Sequence, residues 1–302
     1  MANQRKQEKS PMERYTIRDL RRDFPNDEAC LEWLRDRRWP DGIYCQNCHK
    51  VTAHHLVRSR KSYSCQVCGE HVHPTAGTIF HKSSTPLTLW FHAIYLMAQT
   101  RGGIAAKQVE RELGVTYKTA WRICRLIRSR LDEDQDLFGG GGGRPVEVDE
   151  TYVGGKMRGG KRGRGSENKT PVLGIVERKG KIKTAVIGDA KGNTLQPIIE
   201  ETVEPGTTVY TDEFLAYNGL RRAGYDHKQI QHADKVYVLG DIHTQTVDGF
   251  WGNFKNSIRG VHHHVSPEYL QDYLNEHAFR YSHRNDVKPM FLSFLDQVGT
   301  EC

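Results

Sequence analysis

No apolar run in this chain reaches the ~18–20 residues needed to cross a bilayer. The longest candidate, 89–98, is too short and contains His92. The first 14 residues are polar and charged and lack the apolar segment of a secretory signal. No long internal repeat is present. These absences predict a cytoplasmic protein with no membrane partner. Cysteine is sparse and odd in number, with seven at 30, 45, 48, 65, 68, 124 and 302. An odd count in such a compartment argues against a disulfide framework and for a metal site. The charge excess is modest: 44 basic against 37 acidic residues, a net +7. That balance fits a nucleic-acid partner and equally a soluble basic protein.

At 302 residues the chain is long enough for one large domain and one or two small ones. Residues 1–40 hold a helical segment, with Ile17, Leu20, Leu31 and Leu34 on its apolar stripe. A Cys-rich, strand-like stretch follows at 41–84, and helical patterning dominates 85–138. Five glycines at 139–143 read as a flexible linker. From 144 to 302 strands alternate with helices. The expected fold class is therefore α+β and multidomain, with a mixed-sheet α/β domain last.

Cys45-x2-Cys48 and Cys65-x2-Cys68, with 16 residues between the pairs, bring four thiolates to the corners of a tetrahedron. That is the geometry of a structural Zn²⁺ ribbon. The intervening 52–64 alternates as a hairpin does. Next, Ala106, Val109 and Leu113 line one helix face, and Gly114 supplies a left-handed turn. Thr116 can cap a second helix whose Ala120, Ile123, Cys124 and Ile127 face inward. Tyr117, Lys118, Thr119 and Arg122 are left exposed at its start. In a DNA-binding helix-turn-helix those positions reach the major groove; the plain alternative is an α-hairpin in a small bundle.

Three acids stand out beyond residue 144. Asp149 ends the alternating run 146–149, and Asp212 ends another, 207–212. Asp248 follows Asp212 after 35 intervening residues, and Lys255 lies seven further on. At helical spacing Val247, Phe250, Trp251, Phe254 and Ile258 share one face, and Asp248, Gly252, Lys255 and Arg259 another. Two strand-end carboxylates and one on a helix can hold a pair of divalent cations. Such a pair can clamp the attacking and leaving oxygens of a phosphodiester. A solvated helix face with charges seven apart is the ordinary alternative.

The joint pattern resembles bacterial insertion-sequence transposases of the DDE type, in the group related to the eukaryotic Merlin elements. The resemblance rests on the ribbon, the helix-turn-helix, and the phrases 148–156, 210–212 and 243–251. It continues through Lys255, Gly260, His263, 265–266, Leu270, 273–276 and 279–280. It implies an RNase H-like catalytic domain that binds the inverted repeats ending an element. It also implies strand cleavage and strand transfer dependent on Mg²⁺ or Mn²⁺, two ions held by Asp149, Asp212 and Asp248. Lys255, Arg259 and Arg280 become candidates for contact with double-stranded DNA, both transposon end and target. A homodimer or higher oligomer on DNA is implied, in the nucleoid when bound. An inactive DNA-binding derivative and an RNase H-like nuclease without a joining step are the rival readings. The family usually has Glu in the third acidic region, and some members rely on an Asn; this chain carries Asp248 and Gln245 there. The basic segment 156–169 is expected to grip DNA backbone, and the His262–His264 tract to pack or touch DNA.

Overall fold

The computed structural model describes residues 14–132, 137–139, 143–154, 169–230 and 243–300. The chain divides into two compact units. The first holds 1–131 together with 285–302, the second 132–284. Of the expected features, the segment 156–168 and the middle of the glycine run lie outside the described residues.

In the first unit, the helical segment read in the sequence is two helices, α1 (Ile17–Asp23) and α2 (Asp27–Arg38). Thr16 and Asp19 form a reciprocal capping box on α1, and the Asn26 side chain caps α2. Helix α3 (Leu87–Gln99) is the hub. Its Trp90, Phe91, Ala93, Ile94 and Met97 are fully buried, and α1, α2, α4 (Ala106–Leu113) and α5 (Tyr117–Ser129) all pack on it. Pro86 precedes α3 and offers no capping side chain. Asp27 of α2 caps it instead, accepting from the Thr88 N–H and hydroxyl at 3.0 Å each, while Lys61 donates to its other oxygen at 3.0 Å. Burial opposes ionisation of Asp27, but these bonds outweigh it and hold its pKa below the usual carboxylate range.

Strands β1 (Tyr44–Cys45), β2 (Lys50–Val51), β3 (His54–Val57), β4 (Ser62–Cys65) and β5 (His71–Val72) form a two-stranded and a three-stranded antiparallel sheet. The expected hairpin is the β3–β4 pair. Each Cys pair ends on a residue with positive φ, His49 at 52° and Gly69 at 79°, so the two knuckles turn alike. The four Sγ atoms lie within 4.8 Å of one another, with Cys45–Cys68 at 3.5 Å and Cys48–Cys65 at 3.9 Å. A tetrahedron of Zn–S bonds of ~2.3 Å has edges of ~3.8 Å, so the quartet fits zinc. The Thr52 hydroxyl, 3.1 Å from Cys65 Sγ, with the backbone N–H groups of Cys68 and Val67, pulls the Cys65 thiol down to about 5. His54 and His71 are engaged elsewhere, by the Thr52 carbonyl and the Ser62 hydroxyl.

The last helix, α9 (Met290–Val298), belongs to this first unit and packs on α3. The sequence reading placed it with the C-terminal domain, because its apolar pattern does not say which core it enters. Phe291 stacks on Tyr15 at 4.7 Å and meets Phe24 and Tyr95 edge-on.

The second unit is built on one five-stranded mixed sheet, in the order β10–β9–β6–β7–β8. Strands β6 (Val146–Val153), β7 (Thr170–Glu177) and β8 (Ile182–Val186) form an antiparallel meander. Strand β9 (Thr208–Asp212) runs parallel to β6, and β10 (Asp226–Ile230) parallel to β9. Three antiparallel strands followed by two parallel ones, with the first strand central, is the RNase H-like arrangement. Val146 and Val148 face one core, shared with Leu195, Ile199 and Val203 of α6 (Gly192–Thr202) and its C-cap. Val153 faces the other, shared with α7 (Gln245–Ser257) and α8 (Leu270–Ser282). Gln271 and Ser282 of α8 bond the backbone of β8 and so cover that edge of the sheet. Phe138, expected at the end of the helix-turn-helix region, instead bridges to Val203 and is buried in the first of these cores.

Metal binding supplies much of the folding free energy of such small ribbons. Purified protein should therefore carry one zinc per chain, and Cys45→Ser/Cys65→Ser should carry none. Elemental analysis checks this, and chelation should raise amide exchange across 44–72 while leaving the five-stranded sheet protected.

Candidate active site

Strand β6 alternates its side chains between two faces. Glu147, Asp149, Thr151 and Val153 point towards α7 and α8, and Val146, Val148 and Glu150 away. Asp149 is therefore presented to α7 from the centre of the sheet. Asp212 closes β9, the parallel neighbour of β6, and one of its oxygens accepts from the Phe214 N–H at 3.0 Å. Asp248 sits exposed in the first turn of α7, where the Thr244 hydroxyl donates to it at 3.3 Å.

Asp212 and Asp248 lie near enough to Asp149 for their charges to act on it. Burial pushes the Asp149 carboxyl up to about 8, and the charges of Glu150, Asp248 and Asp212 push the same way, while Lys255 opposes them. The three acids are less tightly drawn than the thiols. Among the described residues the Cys quartet is the group of potential metal ligands whose donor atoms all lie within 4.8 Å. The ammonium of Lys255 donates to the Thr151 hydroxyl, two positions past Asp149 on the same face. Burial lowers the Lys255 pKa, partly offset by Asp149. Gln245 is exposed at the first position of α7.

Two features hold α7 against the strand. Glu147 is fully buried. Its carboxylate accepts from the N–H groups of Thr246 at 2.8 Å and Val247 at 3.2 Å, and from the Thr246 hydroxyl at 2.7 Å. Arg178, just past β7, donates to it at 2.6 Å and to the His243 carbonyl at 2.8 Å, with its guanidinium 4.5 Å from the Tyr210 ring centroid. Further along, Gly174 lies opposite Asp149 in the β6–β7 register. A Cβ there would meet the Trp251 ring at 2.5 Å, so only glycine lets α7 approach this closely. Neither Glu147 nor Gly174 was singled out in the sequence. The legible signal was a charge on the inward face of an alternating strand, two residues before Asp149. On the opposite face, Tyr217 donates to Glu150 at 2.7 Å, and its phenol is raised well above its ordinary pKa by burial and by that carboxylate.

The remaining expected site residues are distributed as follows. Gly114 takes φ 65°, and the Thr116 side chain caps α5 by accepting from the Thr119 N–H. Ala120, Ile123, Cys124 and Ile127 are buried, and Tyr117, Lys118 and Arg122 are exposed. Thr119 is half-buried. Arg259 is exposed in a π-helical turn, Ile258–His262, that continues α7. Arg280 has an interior partner instead of a free surface: it pairs with the fully buried Glu276 one turn earlier on α8. His262 packs edge-on against Tyr273, and His263 bonds the Arg259 carbonyl.

A five-stranded mixed sheet of this order, with α7 packed against its central strand, is the RNase H-like fold on which DDE transposase domains are built. Residues 140–282 match the ISXO2-like transposase domain, and residues 25–71 match the transposase zinc-ribbon domain. The chain belongs to this family of insertion-sequence transposases. It is 28 % identical over 275 residues to an uncharacterized protein in transposable element ISH50 of Halobacterium salinarum, covering 85 % of this chain and 91 % of the relative. It is also 28 % identical over 120 residues to an uncharacterized transposase-like protein of Haemophilus influenzae, covering 40 % of this chain and 94 % of the relative. No helix among the described residues is long and apolar enough to cross a membrane.

The Gly174–Trp251 contact yields a direct test. Gly174→Ala must push α7 off the sheet or distort the ring, costing about 1–3 kcal/mol as overpacking does. Denaturant unfolding should show that loss. Gly174→Ala/Trp251→Phe, which trims the opposing ring, should recover part of it.

Proposed function

We propose that the chain is a DNA transposase that binds the terminal inverted repeats of its element and catalyses metal-dependent strand cleavage and strand transfer. The observation that carries this reading is that β6, β9 and α7 of a DDE-family domain bring Asp212 and Asp248 close enough for their charges to act on Asp149. Hard carboxylate oxygens beside the half-buried Asp149 suit a divalent cation, since a cation relieves the cost that burial and like charge impose there. The donor set therefore fits Mg²⁺ or Mn²⁺, with Asp149, Asp212 and Asp248 as the residues that would hold two ions. Bound there, the ions supply a lowered pKa for a water or 3′-hydroxyl and positive charge for the leaving oxygen.

The chain's own groups orient the DNA. Lys255, on α7 beside Asp149, and Arg259, exposed one turn further on, offer charge and N–H donors to the phosphates flanking the scissile bond. Tyr117, Lys118, Thr119 and Arg122 at the start of α5 are the residues that would enter the major groove of the element end. Both ends must be held together for joining, which calls for a dimer or larger assembly on DNA.

Asp149→Ala, Asp212→Ala and Asp248→Ala should each abolish Mg²⁺-dependent cleavage of an end oligonucleotide and leave gel-shift binding intact. Asp248→Glu keeps the charge and should retain cleavage, whereas Asp248→Asn should lose most of it. Normal cleavage by Asp248→Asn beside a dead Gln245→Ala would move the third ligand to Gln245. Binding without cleavage in the native protein would favour an inactive derivative, and cleavage without joining a nuclease.

Lys118→Ala/Arg122→Ala should weaken end binding, with about 1–3 kcal/mol lost if Arg122 reads a guanine. Cleavage of a covalently tethered end should survive. Unchanged binding in the titration would remove α5 from the interface.

A further inference from the structure

We propose that Glu147 is a positioning residue that caps α7 from the neighbouring strand and so sets Asp248 against Asp149. The inference rests on the transposase reading for its catalytic consequence, but not for its structural one. Helix α7 has no side-chain cap of its own: Thr244 precedes it without bonding its free N–H groups. The first N–H groups of a helix need an acceptor, and a carboxylate there also meets the positive end of the helix dipole. Glu147 serves both needs for Thr246 and Val247, the two residues immediately before Asp248. It does so from a fully buried position, where an acceptor's placement is fixed by packing.

The spacing of the contacts makes the arrangement a two-point mount. Glu147 holds the first turn of α7, and Thr151 meets Lys255 in its third. The anchors are four positions apart on β6, about 13 Å at 3.3 Å a step. On α7 they are nine positions apart, about 13.5 Å at 1.5 Å a step. The two lengths agree, so the helix lies along the strand without stretching either contact. Asp149 sits midway between the anchors on the same face, opposite Gly174 and the Trp251 ring. Losing the first anchor would free the turn that carries Asp248 and leave the second in place.

Arg178 provides the counter-charge. It donates to Glu147 at 2.6 Å and to the His243 carbonyl at 2.8 Å, tying the approach to α7 to the same carboxylate. His243 Nδ1 lies 3.4 Å from Glu147 Oε1. A simple folding role for the ion pair predicts that an apolar replacement of both partners is harmless, since buried pairs are often replaced without loss of stability. A positioning role predicts that it is not.

The test compares Glu147→Leu/Arg178→Met with Glu147→Gln/Arg178→Met in the full-length protein. Both remove the ion pair, and only Gln keeps an acceptor oxygen for the helix N–H groups. Exchange of the amides across 244–251, measured without DNA or metal, should quicken at least about tenfold in the Leu form, with the β7–β8 amides unmoved. The Gln form should stay near the native rate. End binding should match the native protein in both, and cleavage of a bound end should fall by about 100-fold or more in the Leu form, with partial rescue by Gln. Native exchange and native cleavage in the Leu form would overturn the proposal. If the Leu form does not fold, Thr246→Val decides. It removes one bond to Glu147 and leaves Arg178 paired, so quickened exchange at 244–248 supports the mount and unchanged exchange overturns it. A native protein that cleaves nothing would sink the transposase reading while the exchange comparison still judges the cap.

Discussion

Everything at the candidate active site depends on the two-residue period of β6. One face of this strand feeds a closed apolar core through Val146 and Val148. The other delivers, in order, a carboxylate that holds a helix end, an acid at the centre of the site, a hydroxyl that meets a lysine, and a valine that enters the second core. A register slip of one residue would exchange the faces completely. The slip is resisted on both sides, by the paired β7 and by Glu147, whose burial would be prohibitive on the apolar face without its partners.

The sequence disclosed those parts of the molecule whose physics is local. Thiol spacing, the Gly114 turn, the Thr116 cap and the apolar stripe of α7 each depend on residues a few positions apart, and each was legible. The strand-end position of Asp212 was also legible from alternation, whereas Asp149, expected to end its strand, lies in the middle of β6, which stays paired with β7 as far as Val153. What escaped was acceptance across distance. Glu147 meets α7 some hundred residues away, and Gly174 makes room for a ring 77 positions on. Periodicity reports that a residue faces inward and is silent about what it faces. Arg280 shows the same limit from the other side: the resemblance offered it to DNA, but nothing in the sequence told that it pairs with a buried carboxylate, Glu276.

The two units repeat one solution. Helices α3 and α7 both begin without a side-chain cap bond of their own, at Pro86 and at Thr244, whose hydroxyl donates to Asp248, and both receive a carboxylate from another element, Asp27 and Glu147. A local cap fixes only where a helix starts. A borrowed cap also fixes what it starts beside. For α3 that joins the helix hub to α2 and, through Lys61, to the hairpin of the ribbon. For α7 it joins the helix to the strand bearing Asp149.

The membership of α9 in the first unit bears on how the protein is made. Helix α9, through Phe291, completes a core begun by Tyr15 and Phe24 and organised by Phe91 and Tyr95 of α3. The sheet-bearing unit lies between these segments in the chain. A ribosome therefore releases the whole of that unit before Phe291 can reach its partners. The half that holds the ribbon, α4 and α5 remains unfinished until synthesis has passed the acids, so a product broken off in between lacks part of the core organised by α3, on which α5 packs. Completion of the first unit is thereby tied, by the order of the chain, to the presence of the second.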